Sequence, residues 1–102
     1  MINLKDFIKV RVYQFHHKNQ FIVYYNDIEK NRHLVAFQSY DTLIAFTEGG
    51  KLYINWDMWD YSMTTLRHLK SFINEYTIFQ YENKQQFLNV IRTNEKVVTF
   101  EE

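Results

Sequence analysis

The spacing of apolar residues changes once along this chain, between residues 56 and 66, and that change limits the folds available to it. Near the N-terminus, Ile8, Val10 and Val12 alternate with polar neighbours, which is the period of a half-buried strand. After the change, apolar residues recur every three or four positions, as on one face of an amphipathic helix. They are Leu66, Leu69, Ile73 and Tyr76. We therefore predict an α+β domain in which strands precede helices.

The strands are expected to form an antiparallel meander of about four or five members. Besides residues 7–15, the strand-like runs are 21–25, 33–39, 42–47 and 52–56, with a polar break at 16–20 and a turn-rich connection at 26–31. Tyr40-Asp41 predicts a tight turn between the third and fourth runs, unless those runs form one long bent strand. Gly49-Gly50 gives the strongest hairpin signal, because glycine reaches the positive φ angles of such turns.

Two helices are expected to pack on one face of this sheet. Ser62 is a suitable N-cap for a helix over residues 63–76, and Asn83 for a second helix over residues 84–92. Phe87, Val90 and Ile91 are expected to point inward from the second helix. Residues 96–100 allow a C-terminal strand.

Length, charge and cysteine content restrict the function classes. The 102 residues correspond to one domain. Twelve basic and twelve acidic residues leave a formal net charge of 0, which argues against strong non-specific binding of nucleic acid. The absence of cysteine excludes disulfides, thiol nucleophiles and Cys-ligated zinc, and favours the cytoplasm. Neither a signal-peptide pattern nor an apolar run of membrane-spanning length is present, so we expect a cytoplasmic protein without a membrane segment.

The stretch between the last hairpin strand and the first helix holds the most distinctive side chains. Ser62, Thr64 and Thr65 place hydroxyl groups at a helix start, and His68 lies one turn further on. These four residues predict a phosphate or carboxylate site. The alternative is that the hydroxyl groups only cap the helix and that His68 bonds the loop. Asp57 and Asp60 would oppose an anion, which weakens the first interpretation.

Catalytic and metal-binding signatures are not recognisable. His16 and His17 are adjacent, and neighbouring residues on a strand point apart, so they do not predict a metal centre. We expect no enzymatic activity, no cofactor and no metal. Basic and aromatic residues on one strand face can bind single-stranded nucleic acid, or they can form an ordinary solvated face. The sequence places four such residues on the first strand: Lys9, Arg11, Tyr13 and Phe15.

Residues 37–45 and 59–69 resemble small, largely uncharacterised proteins encoded by bacteriophages and mobile elements of Gram-positive bacteria. The shared pattern is Ser-Tyr-x-Thr-x-Ile-Ala, then a Gly-Lys-Leu-Tyr-type strand, then Tyr-Ser-x-Thr-Thr-x-x-His-Leu. The pattern covers about the middle third of the chain. The resemblance implies that the protein is encoded by a phage or mobile element, but it implies no established activity. The residues that it marks are Tyr40, Thr42, Tyr61, Ser62, Thr64, Thr65 and His68.

The resemblance and the aromatic content of 19% together favour a binding role. A small core cannot hide every aromatic ring, and Tyr and Trp suit half-wet interfaces. We expect a phage-type protein that binds and inhibits a host protein, such as a CRISPR effector or another defence nuclease. Trp56, Trp59 and Tyr61 would anchor the partner, while Asp57 and Asp60 would compete for its basic residues. The alternatives are a single-stranded nucleic-acid binder, which the charge does not favour, and a small-anion or nucleotide module.

Overall fold

Alternating apolar runs pair into a six-stranded sheet in the computed structural model, which describes residues 4–101. A short 3-10 turn, Leu4–Asp6, precedes the strands β1 (Ile8–Phe15), β2 (His17–Asp27), β3 (Arg32–Ser39), β4 (Thr42–Glu48) and β5 (Lys51–Asn55), the helices α1 (Met63–Tyr76) and α2 (Lys84–Thr93), and the strand β6 (Val97–Phe100). Strands lie in chain order from β1 to β6. The first five are antiparallel, and β6 is parallel to β5. The predicted α+β meander with two helices and a C-terminal strand is confirmed.

The tight turns have the geometry that their residues allow. Gly49 and Gly50 have φ angles of 61° and 79°, and the flanking Glu48 and Lys51 face each other across the hairpin. Both positive angles match a type I′ turn, which follows the twist of the strands. Tyr40, with φ of 53°, occupies the turn between β3 and β4. The two-strand interpretation of residues 33–47 is therefore confirmed over one bent strand.

The polar break expected at residues 16–20 is wrong. Strand β2 begins at His17, which lies opposite Phe15 of β1, and the chain reverses at His16 with a φ of 62°. Asn19 also has a positive φ, of 66°. His17 pairs with Phe15 of β1 and Gln20 pairs with Ser39 of β3, so backbone pairing with both neighbouring strands maintains β2 through this polar stretch.

The expected half-buried alternation of β1 is also wrong. Only Phe15 at its end is buried, and the other seven residues are exposed. A register shift between Lys9 and Arg11 places Lys9 opposite Tyr25 and Arg11 opposite Tyr24. Adjacent residues of a strand face opposite sides of the sheet, so this β-bulge turns Lys9 and Arg11 to different faces. No helix covers this edge, so the apolar residues of β1 remain in contact with solvent.

Both faces of the central sheet are apolar. On the helix side, buried residues of all six strands and both helices form one core, including Ile22, Phe37, Ile44, Leu52, Leu69, Phe72 and Phe87. On the other side, Val23, Leu34, Ala36, Phe46, Tyr53 and Phe100 form a second cluster. Leu4 and Phe7 of the N-terminal segment pack against this second cluster. The helices therefore cover one face only, as predicted.

The helix caps were identified correctly, and the buried helix faces only in part. Ser62 caps α1 and Asn83 caps α2. In α2 only Phe87 is buried, whereas Val90 and Ile91 are half-buried. Within residues 4–101, neither helix combines the length and the apolar character needed to cross a membrane.

Candidate functional site

The connection between β5 and α1, residues 56–62, is called the junction segment here, and Asn55 holds its first turn in place. Asn55 is fully buried. Its Nδ2 donates to the carbonyl of Leu43 at 2.8 Å, and its Oδ1 accepts from the backbone N–H of Asp57 at 3.1 Å. The N–H of Trp56 donates to the carbonyl of Phe100 at 2.8 Å. These bonds fix the start of the junction segment to β4 and β6, the two strands that flank β5.

The two tryptophans of the junction segment differ in exposure. Trp59 is 3% exposed and belongs to the helix-side core, where its ring meets Phe87 edge-on at 5.3 Å. Trp56 is 40% exposed and stacks on Trp59 with centroids 5.7 Å apart. Trp59 therefore supports Trp56 from below. Of the two rings, that of Trp56 presents the larger surface to a partner.

The two acidic residues are both exposed but differ in their contacts. The Asp60 carboxylate accepts a hydrogen bond from Lys84 Nζ at 3.2 Å. The same Nζ lies 5.3 Å from the ring centroid of Trp59, a cation–π distance. Asp60 thereby ties the junction segment to the start of α2. The side chain of Asp57 is exposed, and its backbone N–H donates to Oδ1 of Asn55.

Tyr61 joins the junction segment to the turn between β3 and β4. Its hydroxyl lies 3.3 Å from Oγ of the buried Ser39, and its side chain is 46% exposed. Tyr40, which follows Ser39 directly, is 55% exposed, and Met63 at the start of α1 is 73% exposed. Together with Trp56, these side chains form what we call the junction surface: Tyr40, Trp56, Tyr61 and Met63.

An open cavity of about 210 Å³ lies beside the junction surface, between α1 and the start of α2. Its apolar lining comes from Trp59, Met63, Leu66, Tyr81 and Phe87, and its polar lining from Arg67, Lys70, Glu82, Asn83 and Lys84. An apolar cavity of about 150 Å³ can hold benzene. This one therefore has room for a single aromatic or branched aliphatic side chain.

The hydroxyl groups at the helix start are engaged with each other. Ser62 Oγ accepts from the N–H of Thr65 at 3.1 Å and donates to Thr65 Oγ1 at 3.0 Å. Thr65 is fully buried, and only Thr64 of the three hydroxyl residues is exposed. This arrangement corresponds to the capping interpretation. Of the three hydroxyl groups predicted to bind an anion, only that of Thr64 is therefore exposed to solvent.

His68 lies in the second turn of α1 and is 7% exposed. Burial lowers the pKa of His68, and the nearby His17, Arg67 and His16 lower it further. The rings of His68 and His17 are 5.8 Å apart. The neutral imidazole is therefore favoured, and it offers an anion no charge. His68 is better suited to packing than to phosphate binding.

The predicted nucleic-acid face does not assemble. Lys9 lies on the sheet face opposite to Arg11, and Phe15 is buried in the helix-side core. Arg11 donates to the hydroxyl of Tyr13 at 2.8 Å. The sequence argument failed here because it assumed an unbroken alternation through the bulge. No row of basic and aromatic side chains runs along one face of β1.

Within residues 4–101, no three His, Asp or Glu side chains converge as a metal centre requires. His16 instead pairs with Glu75 at 2.8 Å between Nε2 and Oε2. The two histidines that the sequence places together therefore have separate partners in space.

Three residues that position the junction surface were not singled out from the sequence: Ser39, Asn55 and Lys84. Asn55 had a visible signal, since it is a polar residue within the strand-like run 52–56. Ser39 had a weaker signal, as the first residue of the Ser-Tyr-x-Thr-x-Ile-Ala pattern, and Lys84 had none. Their contacts with Tyr61 and Asp60 join parts of the chain 22 and 24 residues apart.

A family model described as a family of unknown function, DUF8033, matches residues 8–89. The matched range runs from β1 into α2 and includes the whole junction segment. Comparisons with curated proteins and with solved structures found no match.

Proposed function

The chain belongs to the DUF8033 family, whose function is unknown, and we propose that it is a non-enzymatic, cytoplasmic protein-binding module that acts through its junction surface. The observation that carries the proposal is the exposure of Trp56, Tyr61 and Met63 in and directly after the junction segment, together with the open apolar cavity that Met63 lines. Tryptophan and tyrosine are enriched among the residues that contribute most to protein–protein affinity. A folded chain gains nothing by leaving such groups in water.

The rigidity of this surface supports the same function. Trp56 rests on the buried ring of Trp59, and Tyr61 is bonded to the buried Ser39. Side chains held in this way lose little conformational entropy when a partner covers them. The Trp59 ring supports Trp56 and lines the cavity, so the exposed anchors that this chain offers the partner are Trp56 and Tyr61.

The cavity can receive a side chain of the partner as an additional anchor of the interface. Its volume suits one large side chain of the partner, and Asp57, which is exposed in the junction segment, is available to a basic residue of that partner. In the phage-like setting that the sequence resembles, the partner is a host protein, and binding inhibits it. A defence nuclease such as a CRISPR effector is the concrete form of the proposal.

Affinity capture from the cytosol of a Gram-positive host tests this function. The immobilised wild-type chain and a Trp56→Ala, Tyr61→Ala variant are compared, and retained proteins are identified by mass spectrometry. The control variant is Ile28→Ala, Ile78→Ala, which removes two exposed apolar side chains elsewhere, at 77% and 79% exposure. We expect one protein to be retained by the wild type and the control and lost by the junction variant.

The retained protein is then purified and titrated, and its own activity is measured with and without the chain. Loss of one central aromatic anchor costs about 2 kcal/mol or more, which corresponds to affinity weakened about 30-fold. Equal affinity of wild type and the junction variant would contradict the proposed surface. Binding without any change in the activity of the partner would contradict inhibition while leaving the binding role intact.

A further inference from the structure

The edge strand β1 is the second large apolar feature that the fold leaves uncovered, and it is separate from the junction surface. It pairs with β2 along one side only. Ile8, Val10 and Val12 are 50–58% exposed, and Tyr13 is 46% exposed. An edge strand also presents backbone N–H and C=O groups that have no partner in the sheet. The outer edge of this eight-residue strand is a template on which another extended chain can pair.

The charges of β1 restrict what can pair with it. The strand contains Lys9 and Arg11 and no acidic residue. The ion pairs formed by residues 4–101 involve other side chains, and the guanidinium of Arg11 contacts the neutral side chain of Tyr13, through its hydroxyl and its ring. A second copy of β1 would add two more cations to the same edge without any carboxylate to meet them. Like charges on facing strands are destabilising, so a second copy is disfavoured.

We propose that β1 binds an extended, acidic segment of another protein as an additional strand of the sheet. Backbone hydrogen bonds to the free edge would hold the segment, and its carboxylates would meet Lys9 and Arg11. This inference does not depend on the function proposed for the junction surface, because it uses different residues of the chain.

The β-bulge specifies the spacing of those carboxylates. Lys9 and Arg11 project from opposite faces of the sheet, and their partners on β2, Tyr25 and Tyr24, are adjacent in sequence. A strand on the free edge meets the same two faces. Its acidic residues must therefore be adjacent, since residues two apart on a regular strand share one face.

Fluorescence anisotropy with labelled ten-residue peptides tests the proposal on the unmodified chain. Three peptides share valine, isoleucine and threonine at the outer positions. One carries an adjacent Glu-Glu pair at the centre, the second carries two glutamates two positions apart, and the third carries Lys-Lys. We expect the Glu-Glu peptide to bind about tenfold more tightly than the Lys-Lys peptide, because two cross-strand charge pairs change from attraction to repulsion. The peptide with spaced glutamates should fall between them.

A charge-reversed variant, Lys9→Glu, Arg11→Glu, should prefer the Lys-Lys peptide. Both residues are exposed, so its thermal unfolding should match that of the wild type, and the comparison of peptides on the wild type stands without it. Backbone hydrogen exchange should slow in β1 when the Glu-Glu peptide is present. The Trp56→Ala, Tyr61→Ala variant should bind this peptide as the wild type does, which separates the two proposed surfaces.

Three results would overturn the proposal. The first is no binding of the Glu-Glu peptide up to about 1 mM, the weak limit for a specific contact of this kind. The second is equal affinity for the Glu-Glu and Lys-Lys peptides. The third is a dimer of the chain alone in sedimentation equilibrium that the charge-reversed variant alters, since β1 would then be occupied by a second copy.

Discussion

Replacing Asn55 with alanine should destabilise the fold by about 3 kcal/mol and loosen the junction segment. Asn55 is fully buried and bridges two backbone groups, the carbonyl of Leu43 and the N–H of Asp57. The methyl group of alanine satisfies neither. Both groups then lose a part-buried hydrogen bond.

The magnitude follows from those two contacts. Each hydrogen bond contributes about 1 kcal/mol net, and a fully buried group left without a partner costs about 1 kcal/mol or more in addition. Both bonds are only part-buried, so about half of that cost for each stranded group, added to the two bonds, gives about 3 kcal/mol. For a domain of about 100 residues this corresponds to a fall in Tm of roughly 15 °C.

Urea denaturation followed by tryptophan fluorescence measures this loss, and Asn89→Ala provides the matched control. Asn89 lies exposed on α2, where the same substitution should change the free energy of unfolding by less than about 0.5 kcal/mol. A loss below about 1 kcal/mol for Asn55→Ala would refute the account of how the junction segment is held. A loss of similar size in both variants would refute it equally.

Four further substitutions test the fold and its dependence on pH. Burial lowers the pKa of His68, so the unfolded chain binds a proton at higher pH than the folded chain, and stability is complete above about pH 6.5 and falls as the pH drops through the lowered value. His68→Gln should flatten this fall in Tm measured between pH 7.5 and pH 5, and an unchanged slope would exclude His68 as its source. Gly50→Ala should cost about 1 kcal/mol in urea denaturation because of the positive φ alone, since nothing lies within 4 Å of the added methyl group, whereas Gly49→Asn should be nearly neutral, because Asn-Gly suits a type I′ turn. Ser62→Ala should cost about 1 kcal/mol by removing the cap of α1, and the same stability as wild type would show that the capping bond is not needed.

The order and type of most elements could be predicted from local patterns. The Gly49-Gly50 hairpin, both helix caps and the helix over residues 63–76 depend on residues close together in sequence. Turn and capping preferences act within a few residues, so such features are readable without the rest of the fold. The errors fell on β1 and on the start of β2, where pairing with a neighbouring strand decides the structure.

The candidate site was predicted in position more accurately than in detail. The segment from residue 56 to residue 62 does carry exposed aromatic side chains, as expected. The expected anchor Trp59 is buried, and the hydroxyls of Ser62 and Thr65 bond each other. Sequence spacing shows which side chains share a segment. It does not show which of them the helices will cover.

The sequence by itself determined a meander of strands followed by two helices, because hydrophobic period, glycine turns and capping residues are local properties. The tertiary structure alone decided that β6 runs parallel to β5, that a bulge separates Lys9 from Arg11, and that Trp56 stays exposed while Trp59 does not. Each of these outcomes depends on contacts between residues distant in the chain, and their energies come from burial and pairing that exist only once the sheet and helices have packed.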